Sequence, residues 1–359
     1  MNQQQLFKEL RVIDLSTVLA GPSVGTFFAE LGAHVIKVEN RTNGGDVTRS
    51  WKLASEKAEQ DVSAYFASVN YKKDYIFLDL RSEDDMFMLK SMIAGSDVLI
   101  TNFKEGDAEK FGLGFATVRS WNQNLIYAHI GGFVSNPERV AYDVVLQAET
   151  GFMSMNGTQE SGPLKMPVAL IDVLAAHQLK EGILCALIAR ERDGVGSYVE
   201  VSLEQAAISS LVNQASNFLM EGYVAGLSGS LHPNIAPYGE TFNCSDNRLI
   251  VLAVGSDKQF ESLCGVLGAD DLISKTEFAT NPDRVKNRTS LSEQLSHFFR
   301  KFESENLIAE LTSRHVPCGI IRNMDEVMQT ARKQNMILDE VINDTPTSRV
   351  SGVAFRLSR

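Results

Sequence analysis

The sequence lacks most of what marks a secreted, metal-binding or nucleic-acid-binding protein. It has four cysteines in 359 residues, Cys185, Cys244, Cys264 and Cys318, with no CxxC pair and no zinc-ligand spacing. They read as free thiols packed as small apolar side chains in a reducing compartment. Positive charge is in deficit: 34 Lys+Arg stand against 45 Asp+Glu, a net charge of −11. A nucleic acid needs a basic footprint that this balance does not supply, whereas a small phosphorylated ligand needs only a few local cations. No apolar run approaches the ~20 residues that span a bilayer. The opening MNQQQLFKEL has no apolar core of a secretory signal. Together these absences give the expectation of a cytoplasmic protein without membrane or nucleic-acid partners.

Signature loops are missing too. There is no GxGxxG, no Walker lysine motif, no HExxH and no GxSxG. Gly21, in LAGPS, sits where dinucleotide enzymes place a phosphate loop, but the second and third glycines are absent, which argues against a Rossmann dehydrogenase. The histidines (His34, His129, His177, His232, His297, His315) are scattered with no i,i+4 pair, and read as surface or hydrogen-bonded core residues. His232 is distinguished only by opening HPNIAPY, a loop of the kind that orders over a ligand.

What is present is a strong α/β pattern. RVIDL (11–15) is a short apolar run ended by Ser16-Thr17. SVGTFFAELGA has helical spacing and stops at Gly32, and HVIKVE (34–39) is the next strand. Strand, helix and strand in about thirty residues make a βαβ unit and so a parallel sheet. The pattern recurs in YIFLDL (75–80), a helix through Met86–Ala94, DVLITNF (97–103) and LIYAHIGGF (125–133). This is the doubly wound α/β class. A long helix is expected over 173–192, a strand at Tyr198–Val201, and a second long helix from about Glu204 to Met220. Gly/Ser/Pro-rich sequence after Gly222 reads as a linker. The expected organisation is a large N-terminal α/β domain over 1–200, helix and linker over 201–237, a small α+β domain over 238–321, and a return to the large domain over 322–359, ending in a strand-like SGVAFRLS.

Two carboxylates carry chemical interest. Asp172 follows the strand-like MPVAL at the start of the long helix, where Asp is a preferred N-cap. It also occupies the kind of position at which open α/β sheets bind ligands. Asp143, in AYDVVLQAE, reads as the cap of its own helix. Arg41, Arg49, Lys72, Lys73, Arg81, Lys104 and Lys110 recur near the ends of predicted strands. Any one of them is a surface cation by default, but their recurrence fits an anionic ligand.

Beyond this point the motifs resemble a known family. LRVIDLSTVLAGPSVGTFFAELGAHVIKVE (10–39), GGDVTRSW (44–51), YFASVNYKKDYIFLDL (65–80), DVLITNFKEGDAEKFGLGF (97–115) and AYDVVLQAETGFMSMNG (141–157) come in the family's order. VALIDVLAAHQLKEGILCALIARERDGVGSYVEVSL (168–203), HPNIAPYGETF (232–242), VLAVGSDKQFESLCGVLG (251–268), FATNPDRVKNR (278–288) and VPCGIIRNMDEVM (316–328) continue it. The chain resembles the class III CoA-transferases, the formyl-CoA:oxalate and carnitine CoA-transferase type, a family that also includes α-methylacyl-CoA racemases.

The resemblance implies a Rossmann-like large domain and a small domain joined by two linkers, with two ring-like monomers interlocked in a homodimer. It implies acyl-CoA and a carboxylic acid as substrates, no prosthetic group, and no metal. Asp172 aligns with the family's nucleophilic aspartate, which exchanges CoA through an aspartyl-CoA thioester. The CoA-binding positions implied are Val18, Leu19, Asn40, Arg41, Leu80, Arg81, Asn102, Phe103, Lys104, Lys110 and Arg139 through Tyr142. The cations are expected on the phosphates, and Phe103 or Leu80 against the adenine. Asn40 stands where some members carry arginine, so Arg41 is the expected substitute. Trp51, Tyr142 and HPNIAPY are expected to line the acyl pocket. Racemases of this fold use a His before the Asp that aligns with Asp143; here that residue is Tyr142, a poor base at neutral pH with a reference pKa near 10. Transfer is therefore favoured over racemisation. It is also favoured over a CoA-binding module without turnover, because Asp172 is retained.

Overall fold

The structure, a computed structural model, describes residues 5–358. The chain divides into two units. The first comprises 1–155, 164–225 and 331–359, and the second 156–163 and 226–330.

The first unit is built on a six-stranded, all-parallel sheet: β1 (Arg11–Asp14), β2 (His34–Asn40), β3 (Lys73–Leu78), β4 (Val98–Thr101), β5 (Ile126–Gly131) and β6 (Tyr198–Ser202). Their order across the sheet is 3-2-1-4-5-6, so the winding reverses between β1 and β4, where Val12 pairs with Val98 on one side and Val35 on the other. Helices cover both faces, so the strands must be apolar on both faces. Val12, Val98, Ile100, Ile126, Ala128 and Ile130 point to one core. There they meet Val24 and Phe28 of α1 (Ala20–Glu30), and Ile171, Ala175 and Leu179 of a 24-residue helix, Leu170–Asp193. Ile13, Leu99 and Tyr127, the alternate positions, join the opposite core. They lie with Leu89 and Ile93 of α2 (Glu83–Ala94) and Val118 of α3 (Phe115–Trp121). Each short apolar run thus serves two cores at once. Three further helices complete the part of this unit that concerns the site. They flank the long helix, so in chain order the set is α4 (Asp143–Glu149), α5 (Leu170–Asp193), α6 (Leu203–Ser209) and α7 (Val212–Glu221).

Polar groups are also buried beneath this sheet. Asp14 pairs with Lys73 at 2.9 Å and Lys37 with Asp46 at 3.1 Å, all four side chains fully shielded. Burial pushes the Asp14 carboxyl upward, but Lys73, Lys37 and the Ser16 hydroxyl outweigh it and hold it below its usual value. Gly21 begins α1 against β1 so closely that a Cβ there would lie 2.2 Å from Ser16 Oγ. The glycine retained from a phosphate-loop pattern therefore serves the contact between strand and helix.

The second unit has a three-stranded antiparallel sheet of β7 (Tyr238–Asn243), β8 (Leu249–Ala253) and β9 (Cys318–Ile320), with β8 central. Its own core includes Phe242 stacked on Phe299 at 4.4 Å. The buried Arg284 donates to the carbonyls of Ala236 and Phe278 and pairs with Asp257 at 2.6 Å.

Beyond residue 330 the chain returns to the first unit as a hairpin, β10 (Ile337–Ile342) and β11 (Thr345–Val350). The Lys72 amide donates to Glu340 at 2.9 Å and Arg349 Nε to the Ser68 carbonyl at 3.0 Å. Glu30, at the end of α1, accepts from Arg349, from Ser351 Oγ (2.6 Å) and from the Gly352 amide (3.0 Å).

Three expected elements differ. The strand-like MPVAL before Asp172 is irregular chain that runs into α5 at Leu170. The helix expected from Glu204 to Met220 is broken in two between Ser209 and Val212, where Val212 takes φ 41°. The strand-like SGVAFRLS has no regular structure, because the closing hairpin uses 337–350 instead. Among the described residues, no helix is long and apolar enough to cross a membrane.

Candidate active site

Open α/β sheets bind ligands outside the carboxyl ends of their strands, at the reversal of winding. Here that place is spanned by a reciprocal pair: the Thr17 amide donates to Asn102 Oδ1 (3.0 Å) and Asn102 Nδ2 donates back to the Thr17 carbonyl (2.9 Å). A cavity opens on either side, and Thr17 and Phe103 line both.

The first cavity, of about 600 Å³, lies over the ends of β2 and β3 and is lined by Asn40, Thr42, Gly45, Asp46, Leu80 and Arg81, among others. Arg41 does not line it. Its guanidinium donates to the Phe77 carbonyl (3.2 and 2.8 Å) and pairs with Asp85 at 3.2 Å. The second cavity, of about 510 Å³, is lined by Val18, Leu19, Asn102, Lys104, Arg139, Tyr142, Asp143 and Asp172 among others. Lys110 lines neither cavity and pairs with Asp107 at 2.7 Å. Arg139 pairs with Glu149 at 2.5 Å and sits 4.3 Å over the Phe133 ring. Trp51 also lines neither; it meets Tyr65 edge-on at 5.1 Å. The HPNIAPY segment belongs to the second unit, where Arg288 donates to the His232 carbonyl (2.7 Å) and Asn281 to the Asn234 carbonyl (2.8 Å).

Asp172 is the third residue of α5, not its cap. The N-cap is Ala169, which offers no side-chain acceptor. Asp143 takes that role from another helix: its Oδ1 accepts the Ile171 amide at 2.6 Å and the Asp172 amide at 3.3 Å. Asp143 was expected to cap its own helix, α4, but Tyr142 stands at that N-cap and the Asp143 carboxylate is turned to α5. Gln147, one turn on and fully buried, holds it there: Nε2 donates to Asp143 Oδ2 at 2.5 Å, and Oε1 accepts the Met166 amide at 2.7 Å. The physical reason is that unpaired amides at a helix start need an acceptor, and the Asp143 carboxylate supplies it without using the Asp172 side chain.

Asp172 is left with 8% of its surface exposed. Burial first, and the neighbouring Asp143 charge second, push its carboxyl up to about 7. Tyr65 lies in the same field; burial, Asp172, Asp143 and Asp46 together push its hydroxyl up to about 12. The arrangement offers a buried carboxylate, more basic than an ordinary one, beside a cavity whose lining includes Lys104 and Arg139.

His129 also lines the second cavity, opposite Glu200 in the β5–β6 register, with its Nδ1 2.9 Å from Thr101 Oγ1. Burial lowers its pKa. The sequence offers it as a surface or hydrogen-bonded core residue, and one ring nitrogen is hydrogen-bonded; its place at the end of a strand is the available signal. Nothing local in the sequence marked Gln147 or Thr17. Among the described residues no cluster of His, Cys, Asp or Glu is arranged to hold a metal ion.

A parallel sheet of this order, with cavities over the carboxyl ends of its strands and Asp172 on the wall of one, is a doubly wound α/β protein with a ligand site where this class places one. The sequence profile of CoA-transferase family III matches residues 7–359, and the chain belongs to that family. It is thereby a CoA-transferase by class. A succinate–glutarate CoA-transferase of Agrobacterium fabrum is 34% identical over 93% of this chain and 84% of its own length. A succinyl-CoA:mesaconate CoA-transferase of Haloarcula hispanica is 32% identical over 89% of this chain and 81% of its own. Among solved structures, a CaiB/BaiF family protein from Brucella suis is 34% identical, with a TM-score of 0.85 over 97% of this chain and 92% of its own.

Proposed function

We propose that this protein moves CoA from an acyl-CoA thioester to a carboxylic acid through a covalent intermediate on Asp172. The observation that carries the reading is the burial of Asp172 on the wall of the second cavity, beside Asp143. In the first step the Asp172 carboxylate attacks the thioester carbonyl; the C–S bond breaks, leaving a mixed anhydride and CoA thiolate. The thiolate then attacks the aspartyl carbonyl of the anhydride, giving aspartyl-CoA and expelling the first acid as its carboxylate. The acceptor carboxylate attacks this thioester, expelling the thiolate. The thiolate finally attacks the acceptor's acyl carbonyl and regenerates free Asp172. No net proton is needed, and each step is an acyl transfer between good leaving groups. Water must be kept out, since it would hydrolyse the anhydride or thioester; burial of Asp172 serves that end.

In this reading the first unit is the large, CoA-binding domain and the second the small domain. Asn40, Leu80 and Arg81 belong to the nucleotide side, and Val18, Leu19, Asn102, Phe103, Lys104, Arg139 and Tyr142 to the thioester side. Arg41 and Lys110, both engaged in other ion pairs, would have to exchange partners to meet a phosphate. Two relatives are named for dicarboxylic acids, so succinyl-CoA is the first donor to assay. The interlocked homodimer belongs to the same proposal. Supporting it, Phe218, Leu219 and Met220 on α7 and Val224 beyond it are 55, 79, 79 and 75% exposed, an apolar stripe that a second copy of the chain would cover.

The deciding experiment is mass spectrometry of the enzyme incubated with succinyl-CoA and quenched with hydroxylamine. A hydroxamate on the peptide holding Asp172, absent from Asp172→Ala along with transfer, is expected. Full transfer by Asp172→Ala overturns the mechanism. Solvent deuterium entering the α-carbon of a 2-methylacyl-CoA without any acceptor acid would instead favour racemisation.

A further inference from the structure

The GGDVTRSW segment carries an aspartate and an arginine with no assigned role in the reaction. Arg49 is accounted for structurally: it forms a two-pronged pair with Glu39 (2.7 and 2.5 Å) and lies 3.9 Å over Phe66. Asp46 caps the short helical turn Val47–Ser50, accepting the Thr48 amide at 3.0 Å and its hydroxyl at 2.8 Å, and it also reaches the switch point. Its carboxylate accepts the backbone amide of Val18 (3.2 and 3.4 Å) and pairs with Lys37 at 3.1 Å. Lys37 Nζ in turn donates to the Ser16 carbonyl at 2.8 Å. Both side chains are wholly shielded from solvent. The two atoms they hold flank Thr17, which lines both cavities, and the second of them is the amide of Val18, whose own φ is 72°. A β-branched residue in the left-handed region is a strained conformation, of a kind kept only where the surroundings over-determine it. A buried ion pair is also a poor device for stability alone, since apolar replacements of similar volume are often at least as stable.

We infer that Lys37 and Asp46 are positioning residues that hold Val18 in its left-handed turn, and through it shape the wall against which CoA lies. Asp46 lines the first cavity while the residue it grips lines the second, so one side chain couples the two halves of the site. That CoA is what lies there rests on the proposed function; that the pair holds the turn does not.

The test is a rescue. Glycine takes a positive φ without penalty, so if the pair exists to impose that conformation, Val18→Gly makes it dispensable. The pair is best removed as Lys37→Met/Asp46→Leu, which leaves no unpaired buried charge; Asp46→Asn is the second variant should that one not fold. Each is made with and without Val18→Gly, and thermal midpoints monitor the fold. The expected result is a rise of about tenfold in KM for succinyl-CoA, with kcat less affected, as for loss of a hydrogen bond to a charged group. In the Val18→Gly background the same change should cost less than about twofold relative to Val18→Gly alone. Amide hydrogen exchange at residue 18 reads the turn without any ligand: protected in the wild type, fast in the pair variant. CoA affinity by calorimetry separates the two ideas. Normal CoA binding without transfer would sink the proposed reaction and leave the turn testable. Equal KM and Kd costs with Val and with Gly at position 18, or unchanged protection of that amide, would overturn the positioning role.

Discussion

At residue 172 burial and a neighbouring charge hold a carboxyl far above its usual range. A carboxylate held near pKa 7 is a better nucleophile than an ordinary one once ionised, but is half protonated at neutral pH. kcat/KM should therefore climb with pH through about 7. Asp143→Asn keeps an acceptor for the Ile171 amide and removes the nearby charge. It should move that rise to lower pH by part of the gap to the ordinary aspartate value of 3.8, since burial is the larger cause and remains. A pH–rate profile of the two enzymes checks this. Stability gives the same group a second signature. In the window from 3.8 to about 7 the folded protein keeps a proton that the unfolded chain releases, so this residue's contribution worsens as pH rises and is fully unfavourable above it. Asp172→Asn should then be more stable than wild type at about pH 8, by at most roughly 4 kcal/mol, and equal to it at about pH 3. Urea denaturation at the two pH values measures the gap.

Elements carry constraints of another kind. Gly21→Ala would place a methyl 2.2 Å from Ser16 Oγ, forcing α1 off β1 at the switch point. The expected cost is about 1–3 kcal/mol in stability, with weaker CoA binding as the turn shifts; denaturation and calorimetry report the two effects. Lys73→Met would strand the buried Asp14 and should cost about 3–5 kcal/mol, again read by urea denaturation. This scale is also where the sequence was most and least legible. RVIDL, HVIKVE and DVLITNF declared themselves because a strand buried on both faces leaves a dense run, even where a paired Asp14, Lys37 or Glu39 interrupts the apolar residues, and the helices between them fixed the parallel sense. The exchange of caps between Asp143 and α5 could not be read. It joins residues 28 apart, and each aspartate had a sufficient local explanation of its own. The break at Val212 was hidden for a related reason: its apolar neighbours continue the helical pattern, and the surface they present, not their spacing, decides where the helix stops. Asp172 was found as a position of interest from local pattern, but its role came only from the resemblance over the whole chain.

At the scale of the whole molecule, the net charge of −11 proves compatible with local cations on the cavity walls, such as Arg81, Lys104 and Arg139. Composition bounded the partners without locating the site. Glu30 matters more to the molecule as a whole. It accepts from Arg349, Ser351 and Gly352 at once, tying the returning segment to the first helix. Glu30→Ala should leave Arg349 with the Ser68 carbonyl but without its ion-pair partner, accelerate hydrogen exchange over residues 337–350, and speed proteolysis there, with little change in the second unit. Because the hairpin follows residues 226–330 in the chain, it is synthesised after them, and the clasp at Glu30 cannot form until they have been made. If two chains are threaded through one another, as proposed, the threading has a deadline. It must occur before this latch closes, and partners that have already closed can exchange only as fast as the latch reopens.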